Sequence, residues 1–329
     1  MTTWRDALTG TPRVDEVHWR QVGPLTRWLI ASRAAVLIMT VLSAVIAGLL
    51  AWGDGVFEWV PFAVLTVGLL AAHASNNILN DLTDHLTGAD RDNSFRARYG
   101  TQPLEAGLMT ARQNLAYFTA TGLVALACGL YLTWLQGPFI LVVAGLGAFF
   151  LLAYTWPLKH LGLGELSALV VWGPLMIGGG YYAIGGIWSW EVVAAGLPYA
   201  LGVTAVLVAK HIDKFDNDTE RGIHTLPVLI GSRQAGWLVL VVVGAQYGIV
   251  VGLVAGGGFG WPLLAVLAAT PLLRYLIKVF TNPAPSSPPE GYPESAWPLW
   301  YVSFAFVHNR RFGVLYVLGL LVETILVRT

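Results

Sequence analysis

Residues Asn76 to Asp92 read NNILNDLTDHLTGADRD, and they follow directly on a long apolar run. On a helix, Asn77, Asn80, Asp81 and Asp84 stand at i, i+3, i+4 and i+7, one polar stripe along a single face. The stripe falls at the C-terminal end of its helix, where the macrodipole is negative and carboxylates alone are unfavourable. A bound cation resolves that conflict. Hard oxygen ligands without clustered His or Cys suit Mg²⁺, an ion usually held by one or two carboxylates together with substrate phosphates. A second stretch, Lys210 to Thr225, KHIDKFDNDTERGIHT, also follows an apolar run and offers Asp213, Asp216, Asp218 and Glu220 at looser spacing. Its D-N-D-T-E-R-G run is no Ca²⁺ loop, because Arg221 stands where the turn glycine is needed.

The surroundings of both stretches belong to a membrane. The 329 residues are 56% hydrophobic and only 12% charged, with mean hydropathy +0.63, whereas soluble domains are about 25% charged. The formal net charge is zero, which offers nothing to nucleic acid, and the single cysteine, Cys128, excludes a disulfide framework. The first residues, MTTWRDALTGTPRVDEVHWR, carry acids as well as Arg and lead into no short apolar core with a cleavage site, so no cleavable signal peptide is expected.

A span needs about 20 apolar residues. That rule predicts an all-α polytopic protein with nine spans, near 28–51, 56–80, 112–134, 137–154, 165–187, 191–213, 234–256, 261–280 and 313–328. Residues 1–27 form a cytoplasmic N-terminal segment and 28–329 a single transmembrane domain. With the N-terminus inside, eighteen of the nineteen Lys and Arg fall on the inner side and only Arg328 outside, which places both acidic clusters on the cytoplasmic face of a cell membrane. Trp297, Trp300 and Tyr301 read as an interfacial belt, and the Pro-rich run 282–293 as an extended connector.

Basic residues are interleaved with the acids. Arg91, Arg96 and Arg98 follow the first cluster, and Lys210, Lys214 and Arg221 surround the second. Arg forks and Lys point charges suit phosphate oxygens, so Arg91, Arg98, Lys210, Lys214 and Arg221 are candidate diphosphate contacts. The candidate metal ligands are Asn80, Asp81, Asp84, Asp90, Asp213, Asp216 and Asp218. Between helices four and five, YTWPLKHLGLGE (154–165) offers Lys159 as its one basic side chain besides His160. The expected catalytic groups are Asp81, Asp84, Asp218 and Lys159.

With these residues in view, the chain resembles the UbiA superfamily of intramembrane prenyltransferases. NDLTDHLTGAD is similar to that family's first aspartate-rich motif, in the form with Gly88 and Asp90 found in the 1,4-dihydroxy-2-naphthoate prenyltransferases of menaquinone synthesis. QPLEAGL (102–108), YTWPLKHLGLGE and the ending from Asp218 to Val228 resemble further landmarks of the same branch. The resemblance implies nine helices ringing a lipid-accessible cavity beneath cytoplasmic loops. It also implies Mg²⁺ and a prenyl diphosphate held at Asn77, Asn80, Asp81 and Asp84, with Asp90 nearby and Asp218 supplied by the second motif. Two positions depart from the pattern: Lys214 stands where the second motif begins with Asp, so that either its neighbour Asp213 or Asp216 takes over the metal role or only one metal is held in the family's way, and Gln102 stands where the intervening loop has Arg. The reaction implied is prenyl transfer from a polyprenyl diphosphate to an aromatic acceptor, with other acceptors or prenyl cyclisation as alternatives. An ion-coupled transporter is the rival from another class, and it requires carboxylates at mid-membrane depth, where Glu323 is the chief deep acid.

Overall fold

The computed structural model describes residues 4–10, 12–86, 101–293 and 296–328, and among them there are helices and no strand. Three short helices, α1 (Trp4–Thr9), α2 (Glu16–Gln21) and α3 (Pro24–Ala31), open the chain. The Asp15 side chain accepts from the His18 amide and starts α2, while Gly23 followed by Pro24 starts α3. Ala7, Val14, Trp19, Leu29 and Met109 give this segment a small core of its own.

The expected first span does not run unbroken from residue 28. Arg33 adopts a left-handed backbone, φ 53° and ψ 52°, the one described non-glycine residue with positive φ. A β-carbon disfavours that conformation. The helix therefore stops, and after a 3-10 turn, Ala34–Val36, it resumes as α4 (Ile38–Gly53). Then come α5 (Trp59–Leu86), α6 (Ala111–Gln136), α7 (Phe139–Ala153), α8 (Gly164–Gly185) and α9 (Trp190–Asp213). Short α10 (Phe215–Glu220) and α11 (Leu226–Ile230) precede α12 (Ser232–Ala255), α13 (Trp261–Phe280) and α14 (Tyr301–Arg328).

All nine expected spans are helical. Seven helical segments, with Ala34–Gly53 counted as one across its 3-10 turn, are long and apolar enough to cross a membrane, α7 is a shorter apolar helix, and α14 belongs to neither group. The last helix begins at Tyr301 rather than near 313, so its first turns extend past Arg310 and Arg311, and Trp300, Tyr301 and Phe304 pack, partly buried, against the core. Hydropathy alone places that boundary too late, because the exposed Arg pair interrupts the apolar run without breaking the helix. The middle of α8, Val171–Gly178, is wound as a π-helix around Pro174, which lacks the amide an α-turn needs.

Helix α9 is the central post, packed against α4, α8, α12 and α14. Glycine permits its close approach to α14: a Cβ on Gly313 would stand 2.6 Å from the Tyr199 ring. The outer face of α6 leaves Leu123, Leu126, Leu130 and Trp134 exposed, an apolar surface that suits lipid.

Candidate active site

The C-terminal turns of α5 carry the first cluster, with Asn80, Asp81 and Asp84 all buried. Each side chain meets a different part of the chain. Asn77 donates from Nδ2 to the Ser32 carbonyl at 2.8 Å, fixing the backbone just before the left-handed Arg33. The Arg33 guanidinium is ion-paired with Asp81, which also accepts from Gln102 Nε2 at 3.4 Å. Asn80 donates to Asp84 Oδ2 at 3.2 Å and accepts from the Thr155 hydroxyl at 3.1 Å. Lys159 comes from the 3-10 turn after α7, and its Nζ lies 3.6 Å from Asp84 Oδ1.

The second cluster lies where α9 passes into α10. Lys214 is buried and its Nζ is 3.1 Å from Oδ1 of Asp218, whose side chain is wholly buried. Asp213 faces away from that pair, and its carboxylate accepts from the backbone amides of Trp300, Tyr301 and Val302 at 3.1, 2.9 and 2.8 Å. It thereby caps the N-terminus of α14, an electrostatically favourable place for an acid. Asp216 and Glu220 are exposed, and Lys210 and Arg221 are half-buried. Asp90, Arg91, Arg96 and Arg98 lie outside the described residues.

Tyr154 directly follows α7 and leads into the connector that carries Lys159. Burial, with the Glu165, Asp84 and Asp218 carboxylates nearby, pushes its phenol well above the ordinary range, so the hydroxyl stays protonated. Burial and the neighbouring Lys159 charge likewise lower the pKa of His160. Behind the second cluster, Glu165 and His211 form a buried pair, Oε1 to Nδ1 at 2.6 Å, and the same oxygen accepts from the Leu226 amide at 3.3 Å. That contact ties the starts of α8 and α11 to α9.

Sequence reasoning missed Arg33, which counted only toward topology, and missed Thr155. No local signal marks Arg33, because its role comes from a backbone break and a partner 48 residues away. The deep acid Glu323 is likewise engaged, its Oε1 accepting from the Gly260 amide at 2.6 Å near the start of α13.

The model of the UbiA prenyltransferase family matches residues 41–309, and the chain belongs to that family. The 1,4-dihydroxy-2-naphthoate octaprenyltransferase of Mycobacterium tuberculosis is 30% identical over 241 residues, 67% of this chain and 79% of that protein. The digeranylgeranylglyceryl phosphate synthase of Natronomonas pharaonis is 29% identical over 214 residues, 62% and 70% of the two chains. Among solved structures, the apo UbiA homolog from Aeropyrum pernix shares the fold with a TM-score of 0.63 at 19% identity, over 87% of this chain and 97% of that one. A homolog from Archaeoglobus fulgidus bound to DMAPP and Mg²⁺ matches with a TM-score of 0.52 at 14% identity, over 86% and 96%. The protein is therefore an integral membrane prenyltransferase, and the transporter alternative falls away.

Proposed function

We propose that the chain transfers a prenyl group from a polyprenyl diphosphate to a dihydroxynaphthoate-type aromatic acceptor, with the site facing the cytoplasm. The observation that carries this reading is the meeting of the buried α5 carboxylates Asp81 and Asp84 with basic side chains from two other segments, Arg33 before α4 and Lys159 on the α7–α8 connector. The 30% identity to a 1,4-dihydroxy-2-naphthoate octaprenyltransferase supports the acceptor class.

The first cluster fits Mg²⁺. Its donors are hard oxygens only, from two buried carboxylates and an amide, and one or two carboxylates plus phosphates are what this ion commonly takes. Among the described residues no three His, Cys, Asp or Glu are grouped as ligands, and Mg²⁺ commonly draws further ligands from substrate phosphates and water. Asp81, Asp84 and the Asn80 carbonyl would hold the ion, which when bound neutralises the diphosphate as a leaving group.

The chain's own groups do the rest. Arg33 and Lys159, now set against Asp81 and Asp84, are positioned for phosphate oxygens, where they stabilise charge released as the allylic C–O bond breaks. The electron-rich acceptor ring attacks the cationic prenyl carbon, forming the C–C bond as the allylic C–O bond breaks, and its ring proton passes to the released diphosphate. Tyr154, held neutral, offers a hydroxyl beside that path without adding negative charge. The apolar helices exclude water from the cation and receive the tail from lipid.

The test is incubation of purified protein in lipid nanodiscs with labelled prenyl diphosphates and a panel of acceptors, with and without Mg²⁺, products being identified by mass. A prenylated dihydroxynaphthoate derivative formed only with Mg²⁺ is expected. Exclusive prenylation of a glycerol phosphate lipid would reject the acceptor.

A further inference from the structure

We infer that the Lys214 ammonium fills, at the second acidic cluster, the place that a divalent cation takes at the first. The chain then binds one divalent ion per diphosphate, not one at each cluster. The inference rests on the reading of the site as a diphosphate site.

Each acid of the second cluster is accounted for. Asp213 is engaged by three backbone amides of α14, and Asp216 and Glu220 are exposed. Only Asp218 is left. Its carboxylate is fully buried, and among the described residues neither oxygen has a hydrogen-bond partner, while the charge set against it is Lys214 Nζ at 3.1 Å from Oδ1. A carboxylate buried so completely requires a cation, and that cation is already part of the chain. An Mg²⁺ ligated at about 2.1 Å by the same carboxylate would stand within a few ångströms of the ammonium, where the two charges repel strongly in a site without water.

Stability does not explain the pair. Lys214 precedes Asp218 at i,i+4, the less favourable order along a helix, and a buried ion pair contributes little over an apolar pair of the same size. An ammonium has three donor hydrogens, and a single carboxylate does not occupy them all. Those not directed at Asp218 can reach phosphate oxygens, which Lys binds as a point charge. At the first cluster, by contrast, Lys159 lies 3.6 Å from its carboxylate and belongs to a separate connector, so the pair can part when an ion enters.

The experiment counts ions. Mn²⁺ is titrated into the intact protein in nanodiscs, with a non-reactive prenyl thiodiphosphate present, and bound ion is read by electron paramagnetic resonance. One Mn²⁺ per chain is expected, and Lys214→Asp should raise the count to two. Should that variant fail to assemble, Lys214→Gln provides the second measurement. It keeps one Mn²⁺ and weakens thiodiphosphate binding about 10- to 100-fold, the worth of a charged hydrogen bond. Two ions in the native chain, or a count of one in well-folded Lys214→Asp, would overturn the inference while leaving the diphosphate reading intact. Binding of the thiodiphosphate with no ion at all would overturn both.

Discussion

The two acidic stretches differ in who supplies the opposing charge. At the end of α5, Asp81 and Asp84 meet Arg33 and Lys159, each delivered by a distant segment with its own backbone. At the α9–α10 junction, Asp218 meets a lysine one helical turn away. Cations that come from elsewhere can be drawn off by a substrate, whereas one built into the same turn stays. Two clusters with similar composition can thus play opposite parts, one accepting a metal and the other replacing it.

The comparison breaks most readily at Asp84. Asp84→Asn should lower turnover about 10³-fold, the upper range for loss of one transition-state electrostatic group, and should also abolish Mn²⁺-dependent thiodiphosphate binding. Turnover lost with ion binding unchanged would move the metal away from α5.

Arg33→Ala comes next. It leaves Asp81 buried without its ion-pair partner, and we expect a loss of about 3 kcal/mol in stability and about 100-fold in turnover. Adding Asp81→Asn should recover most of the stability but not the turnover, a coupling measurable by a double-mutant cycle in thermal unfolding.

A third variant separates capping from catalysis at the second cluster. Asp213→Ala should cost about 1–2 kcal/mol through loss of the α14 cap, visible in the unfolding midpoint, with the Mn²⁺ count unchanged. Asp216→Asn, at an exposed position, should change turnover by no more than about twofold. A large effect there would return Asp216 to the site and weaken the contrast between the clusters.

What was legible in the sequence followed period and hydropathy. The α5 stripe needs only the 3.6-residue repeat, and the nine apolar runs mark the helices. What was illegible came from distance. Asp213 looks like any acid of its cluster until the amides of residues 300–302 arrive from 87 to 89 positions away. Arg33 is one more basic residue in a topological tally until Asn77 holds the preceding carbonyl and the chain turns left-handed. Lys214 was conspicuous as a departure from a pattern, but whether a neighbouring acid took over depended on where Asp213 and Asp216 are placed, which spacing does not determine.

The Asp213 cap has a consequence for how such a chain is made. Helices are synthesised in order, and α14 leaves the ribosome after every helix that carries a site acid. Until it is inserted, the Asp213 carboxylate has no α14 amides to accept from, and the α9–α10 junction lacks that contact. On the proposed reading the diphosphate site is completed late in translation, by a helix that contributes none of its acids, and a nascent chain stalled before Trp300 holds both motifs without the amides that engage Asp213.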